Sequence, residues 1–266
     1  MILQASTTTH RRRRNALRIF WLESKYEFLK NLRLPIYSLS VLMFPVMFYV
    51  LFGLSFGRSD FGPVSSSLYY AVTYSAFGIM GASLFGFGVN VAVERGQGWM
   101  HLKRAFPMPP LAYFAAKVFM ATLFGLIIVL TLLTLGTLFG GMRLAAGQIL
   151  VIVGVLIAGA LPFSALGLAL GYLTGPNSAT AVVNLIYLPM SFSAGLWIPI
   201  QELPAFFQTL APYLPSYHYA QLGLASIGAG DGGHVGWHIL VLTGITLVSL
   251  LVALVLYFRD EARSYG

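Results

Sequence analysis

Long runs without a charged residue constrain this chain more than any other feature. No Asp, Glu, Lys or Arg occurs in 34–57, 61–93 or 118–142, and no Lys or Arg occurs between Arg143 and Arg259. Only 9% of the 266 residues are charged, whereas soluble domains carry about 25%. A helix that crosses the hydrocarbon core of a bilayer needs about 20 mostly apolar residues. The runs therefore predict an all-α integral membrane protein, and they leave no segment for a large soluble domain.

Six transmembrane helices fit these runs. The first lies within 34–57, the second near 68–91 and the third over 118–142. The stretch after Arg143 is too long for one helix, and it breaks at "TGPNSAT" and in the proline-rich stretch after Trp197. These breaks predict three further spans, near 148–173, 179–198 and 236–258.

The basic residues orient the spans. With the N-terminus in the cytoplasm, the inner segments hold eight Lys and Arg residues in 11–33, four in 95–117 and two in 259–263. The outer segments hold only Arg58 and Arg143. The positive-inside rule therefore predicts a multi-pass protein of the cytoplasmic membrane with both termini in the cytoplasm. The net charge is +8, and the basic residues are confined to a few segments that flank the apolar runs. Binding to membrane lipids therefore explains this charge better than binding to nucleic acid does.

The segment 15–33 has the pattern of an amphipathic helix lying on the membrane surface. At 100° per residue, one stripe of this helix is apolar, formed by Leu17, Trp21, Phe28 and Leu32. The roughly opposite side gathers Glu23, Glu27 and Lys30. We expect an interfacial helix that Pro35 ends; a basic lead-in that only sets orientation is the alternative.

The segment 94–110 interrupts the apolar pattern between spans two and three. Gly96 and Gly98 allow a sharp change of direction, and the residues from Trp99 to Phe106 fit a short helix parallel to the membrane. The prolines that follow end such a helix. An ordinary basic inner loop is the alternative.

The segment 199–230, between spans five and six, is too apolar for a free loop. Its prolines separate "AFFQTLA" and "YHYAQLGLAS", which read as short amphipathic helices on the extracytoplasmic side. They can be re-entrant if they are buried in protein, where irregular backbone is tolerated. They would serve as a lid or as an interfacial cap.

The segment 94–110 resembles the signature of the permease subunits of ABC-2 transporters, a class of ATP-binding-cassette transporters. That signature runs from an acidic-Arg pair through a Gly and a basic residue to Pro-x-Pro, here "ER", Gly98, Lys103 or Arg104, and "PMP". The segment "SAGLWIPIQELPAFFQTLAPYLPSYHYAQ" is similar to the family's connection between spans five and six. One departure is "GQGW", where many relatives carry Gly-Thr after the Glu-Arg pair.

The resemblance implies a single ABC-2 transmembrane domain over 1–266 and a transport role. Two such subunits pair, with a homodimer preferred to a heterodimer, and each docks a cytoplasmic ATPase subunit. Members export amphipathic or hydrophobic drugs, lipids, glycans or peptides. The inner segment acts as a coupling helix, and the residues implied in it are Glu94, Arg95, Gly98, Lys103, Arg104, Pro107 and Pro109.

The chain carries no G-x-x-x-x-G-K-[ST] phosphate loop, so it does not bind ATP in that mode. We therefore expect ATP and Mg²⁺ on the partner ATPase, and no enzyme activity, cofactor or metal on this chain. His234 and His238 have i, i+4 spacing, which zinc can use, but no Glu follows His234 as in H-E-x-x-H. We interpret both as ordinary interfacial histidines.

Two rival functions are an ion-coupled secondary transporter and a membrane anchor subunit of a complex. Ion coupling normally keeps ionisable residues inside the membrane, and the six predicted spans contain no Asp, Glu, Lys or Arg. An anchor has no evident need for six spans and broken outer helices.

A substrate path is predicted from polar and aromatic residues of spans two and five, which line the dimer interface in this family: Asn90, Asn184, Tyr187 and Phe192. Interhelical packing is the alternative role for each of the four.

Overall fold

The computed structural model describes residues 3–55, 60–61, 64–99 and 110–265, which are helical almost throughout. Helix α1 spans Leu3–Leu32, so it begins earlier than the predicted 15–33. Leu34 is extended, with ψ of 94°, because a proline ring disfavours the helical conformation of the residue before it. Helix α2, Pro35–Phe48, therefore starts at the proline and continues as a π-helix over Tyr49–Leu54.

A hairpin made of two strands, each two residues long, lies between this π-helix and the next helix. Strand β1, Asp60–Phe61, pairs antiparallel with β2, Val64–Ser65. The Ser65 hydroxyl then accepts a hydrogen bond from the Leu68 N–H at 3.4 Å and caps the helix that follows. This hairpin is a small departure from the all-helical prediction.

The second apolar run forms the centre of the fold. It consists of α3, Ser66–Leu84, a π-helical turn over Phe85–Val89, and α4, Asn90–Gly96. Nearly all of α3 is buried, because its glycines let neighbouring side chains approach closely. A Cβ on Gly81 would lie only 2.8 Å from the Tyr187 hydroxyl.

The fourth apolar run is one helix broken in the middle. After α5, Pro110–Phe139, come α6, Ala146–Ala158, and α7, Ala160–Leu173, with the break at Gly159. The ring of Tyr219 fills the break, and its hydroxyl donates to the Leu156 carbonyl at 2.6 Å. A Cβ on Gly159 would lie 1.9 Å from that ring. The break is therefore part of the packing between distant segments.

Short helices fill the region between α8, Ala179–Ser193, and the last helix, α11, Val235–Tyr265. They are 3₁₀ turns at Ile200–Glu202 and Ala211–Tyr213, together with α9, Ala205–Leu210, and α10, Pro215–Ala225. Helix α10 packs into the bundle, where Ser216 Oγ donates to the Met190 carbonyl at 2.8 Å. We call this end of the bundle distal, and the end that contacts α1 basal.

Among the described residues, five helices are long and apolar enough to cross a membrane: Tyr37–Leu54, Ser66–Gly96, Ala112–Phe139, Ala146–Leu173 and Val235–Asp260. Helix α8 is apolar but shorter, at 15 residues. The third of the five starts before the predicted Val118 and so includes Lys117. Large apolar side chains face outward on these helices, as with Leu251. The fold is that of a helical membrane protein.

Candidate coupling site

Glu94, at the end of the central helix, lies in a buried cluster of charges. Its Oε1 accepts from Lys30 Nζ at 2.6 Å and from Lys117 Nζ at 3.0 Å, and its Oε2 accepts from the Tyr113 hydroxyl at 2.5 Å. Lys117 is fully buried and also donates to Glu27 Oε1 at 2.5 Å. Two carboxylates thus balance two ammonium groups, which a buried arrangement of charges requires.

Helix α1 presents its polar face to this cluster. Glu27 is 5% exposed, and Asn31 is buried with its amide donating to the Glu27 carbonyl at 2.9 Å. Asn90 of α4 donates in turn to Asn31 Oδ1 at 2.8 Å. Glu27 was predicted on the side of the helix opposite the apolar stripe, and at this position that side faces the protein interior, because its carboxylate pairs with the buried Lys117 of α5. Trp21 of the predicted apolar stripe lies exposed on the outside of the fold, where lipid could cover it.

The charges of the α1 residues follow from this arrangement. Burial by itself raises the pKa of Glu27, but Lys117 and Lys30 outweigh it and hold the pKa below its ordinary value. Burial likewise lowers the pKa of Lys30, but Glu94 and Glu27 raise it above its ordinary value. Both side chains are therefore charged at neutral pH.

Arg95 connects the same point of the chain to two other helices. Its Nη1 donates to the carbonyls of Gly171 and Tyr172, at 2.8 and 3.2 Å, which are left without helical partners at the end of α7. Its Nε and Nη2 bind both carboxylate oxygens of Asp260 in α11, at 3.2 and 2.7 Å. Such a bidentate pair fixes geometry as well as charge.

Gly96 supplies a third contact, to the turn between α7 and α8. A Cβ at this position would lie 2.5 Å from Pro176 Cγ, so only glycine allows the turn to approach this closely. Gly98 then has a φ of +76°, a left-handed conformation that glycine adopts at no cost. We call Glu94, Arg95, Gly96 and their contacts the basal junction, because three successive residues there connect α1, α5, α7, α11 and the Pro176 turn.

Of the predicted coupling residues, Glu94, Arg95 and Gly98 lie in or beside the basal junction. Lys103, Arg104, Pro107 and Pro109 lie outside the described residues. Sequence reasoning missed Glu27, Lys117, Asp260 and Pro176 as their partners. A lone lysine near the start of an apolar helix was the available signal, because such a buried cation needs an anionic partner.

The predicted path residues do not form one group. Asn90 bonds to Asn31 at the basal end, and Asn184 is half-buried on α8. Tyr187 stacks on Phe77 with ring centres 4.9 Å apart and donates to its carbonyl, while Phe192 meets the ring of Trp197 edge-on. Among the described residues no group of three or more His, Asp or Glu side chains is arranged to hold a metal ion.

Comparison with known proteins agrees with the fold of a helical membrane protein. Residues 55–255 match the family model described as "ABC-2 family transporter protein". The chain is also 25% identical to a Bacillus subtilis (strain 168) protein named "Putative transport permease YvfS", over 241 residues that make up 90% of this chain and 97% of the relative. The resemblance seen at 94–110 is thereby confirmed, and the chain belongs to the ABC-2 family of transporter proteins.

Proposed function

We propose that this permease is the membrane half of an ATP-binding-cassette exporter, driven by a separate ATPase subunit that docks on the segment 94–110. The ABC-2 family works with an ATP-binding subunit, and membership makes the chain a transport subunit rather than an enzyme. The observation that carries the proposal is the basal junction. A docking segment can move the spans only if its base is fixed to them.

The basal junction would provide that fixed base. A push on the residues that follow Trp99 would reach α1 and α5 through Glu94, and α7 and α11 through Arg95. The Pro176 turn would move with them because Gly96 lies against it. Short buried hydrogen bonds transmit such a displacement, whereas an unattached loop would absorb it.

The basal end would face the cytoplasm, with both termini there, as the distribution of Lys and Arg predicts. ATP and Mg²⁺ would bind to the partner ATPase, and this chain would bind no cofactor. A second permease chain would complete the transporter, with a homodimer preferred to a heterodimer. Membrane lipids would cover the outward apolar side chains of the spans.

The substrate would be amphipathic or hydrophobic, such as a drug, lipid, glycan or peptide. A path for it needs apolar walls with a few polar groups. Asn184, Tyr187 and Phe192, all on α8, have this character, and we retain them as path residues. Asn90, bonded to Asn31, would meet the path only at its basal end.

One observation favours the rival ion-coupled transporter. The helix bounds bring Lys117 and Glu94 into apolar helices whose predicted bounds contained no Asp, Glu, Lys or Arg. The cluster is charge-balanced, however, and it lies at helix ends rather than at mid-membrane. The two mechanisms separate in proteoliposomes: an ATP-driven exporter continues to transport when a protonophore and a sodium ionophore collapse the ion gradients, and a secondary transporter stops.

Charge reversal at Arg104 tests the docking assignment. The permease is reconstituted with its ATPase, and Arg104→Glu is compared with Arg33→Glu, a reversal at an exposed position of the same predicted side. We expect Arg104→Glu to insert normally but to lower transport per ATP hydrolysed about tenfold, the effect of a lost charge contact at an interface. Transport at the normal rate would show that docking occurs elsewhere.

A further inference from the structure

Two buried histidines connect helices at the distal end. His218 lies on α10 and His238 near the start of α11, and the two residues are 2% and 3% exposed. Their Nδ1 atoms are 2.8 Å apart, which is hydrogen-bond distance. The loop 226–234 joins the two helices, so this contact closes the distal segment onto the last span.

The partners of His218 fix its tautomer. Its Nε2 lies 2.9 Å from the Pro212 carbonyl, which can only accept, so Nε2 carries a hydrogen. A neutral ring then has a bare Nδ1, which accepts a hydrogen bond. The facing Nδ1 of His238 must therefore be the donor, since two bare nitrogens at this distance would repel each other.

This assignment leaves Nε2 of His238 without a hydrogen-bond partner. That atom is buried, and it lies 3.4 Å from Asp231 Oδ1. A bare Nε2 would direct its lone pair at a carboxylate oxygen. A proton on Nε2 would turn the same contact into an ion pair, with His238 donating to His218 on one side and to Asp231 on the other.

Asp231 is held in place as an anion. The Tyr217 hydroxyl donates to its Oδ2 and the Gly233 N–H to its Oδ1, both at 2.8 Å, while its own N–H donates to Gln221 at 2.9 Å. Burial tends to raise the pKa of Asp231, but the bonds from Tyr217 and Gly233, with His238 nearby, hold it below its ordinary value. The carboxylate is therefore charged across the pH range in which histidines titrate.

His218 is not the proton acceptor of the pair. Both of its ring nitrogens already have partners, and burial, with a smaller effect of His238, lowers its pKa. Within the described part of the chain, the titratable groups in contact with His238 are His218 and Tyr217 from α10 and Asp231 from the loop. Asp231 is the anion among them.

We propose that Nε2 of His238 is a proton-binding site, and that the bound proton latches α10 to α11 through Asp231 and His218. The latch closes as the pH on the distal side falls, and it weakens as the pH rises. A permease with this latch would hold its distal segment more firmly against the last span in an acidic medium. The proposal concerns the isolated subunit and does not depend on the direction of transport.

An engineered thiol measures the latch, because the chain contains no cysteine. Ser216, on α10 and fully buried, is changed to Cys, and its labelling by an aromatic disulfide reports how often α10 opens. A cysteine at exposed Ser178, in a separate variant, corrects for the effect of pH on thiol chemistry. The purified subunit is labelled in lipid nanodiscs at about pH 5.5 and about pH 8, which bracket most of the histidine range.

We expect corrected labelling of Ser216→Cys to be about tenfold slower at the lower pH, the effect of one charge-assisted hydrogen bond. This difference in labelling rate between the two pH values should vanish in His238→Gln, because glutamine keeps a donor for His218 but cannot gain a proton. It should vanish also in Asp231→Asn, whose amide can donate to a bare Nε2 at any pH. His234→Gln, a matched change at an exposed histidine four residues away, should keep it.

A pH-independent rate in the parent, or an undiminished pH effect in His238→Gln, would overturn the proposal. Loss of the effect in His234→Gln would also overturn it, because the responding histidine would be the wrong one. If His238→Gln does not fold, Asp231→Asn alone decides, since it removes the anion and leaves both rings in place. Because no ATPase is used, these outcomes are independent of the Arg104→Glu result.

Discussion

Replacing Lys117 by methionine would remove the cation at the centre of the basal junction. Lys117 is fully buried, and its ammonium group contacts Glu27 and Glu94 at 2.5 and 3.0 Å. Removing one partner of a buried ion pair costs about 3–5 kcal/mol, because the other charge stays buried without compensation. Two carboxylates would then share the half-exposed Lys30. We therefore expect Lys117→Met to destabilise the subunit by about 4 kcal/mol, roughly a thousandfold in the folding equilibrium.

The assay is unfolding of the purified subunit in mixed micelles, followed by far-UV circular dichroism. Lys25→Met is the matched control, because Lys25 is an exposed lysine of α1 and its loss should change stability by about 0.5 kcal/mol at most. The double variant Glu27→Gln/Lys117→Met removes one charge of each sign. It should recover about half of the loss, since Glu94 then keeps Lys30 and Tyr113 as partners.

Two results would refute this reasoning. One is a Lys117→Met variant as stable as Lys25→Met, which would mean that the buried charges are not coupled. The other is a double variant at least as unstable as the sum of its single changes, which would mean that charge balance is not what stabilises the junction.

Two further predictions concern the packing at Gly159 and the stability of the subunit in acid. Gly159→Ala should lower the free energy of unfolding by about 1–3 kcal/mol, because the added methyl group would overlap the Tyr219 ring. Gly154→Ala should leave stability unchanged or raise it, because a Cβ there has nothing within 4 Å. Equal unfolding temperatures of the two variants would contradict this packing. The lowered pKa of Glu27 gives stability that is present above its ordinary value of 4.5 and is lost as the pH falls through the folded value. Wild type should therefore lose more stability in acid than Glu27→Gln, and parallel pH profiles of the unfolding temperature would contradict it.

The lengths of the uncharged apolar segments predicted where most of the long helices lie. The second, third and fourth spans start and end within a few residues of their predicted positions, because nothing else in the chain competes for the bilayer. The distal helices were predicted because prolines separate two apolar segments there. Gly98 was predicted to turn the chain, and its φ of +76° bears this out. The break at Gly159 was not predicted, because it depends on Tyr219, which is 60 residues away in the sequence.

The partners within the site could not be read from local periodicity. Helical spacing placed Glu27 opposite the apolar stripe, but it could not show that this side meets Lys117, which lies 90 residues along the chain. The pairing of Arg95 with Asp260, 165 residues apart, is equally invisible to a local pattern. His238 was compared with His234 on the same helix face, whereas its partner is His218 on another helix.

The shortness of α8 bears on the shape of the surrounding membrane. Fifteen helical residues extend only about 22 Å, while the hydrocarbon layer of a bilayer is about 30 Å thick. In the proposed six-span topology, irregular chain completes the crossing, and its residues Ala194 and Leu196 are shielded by protein rather than exposed to lipid. Because protein covers the chain that continues α8, the bilayer around this short helix need not thin to match it, and the hydrophobic mismatch of a helix of about 22 Å is avoided.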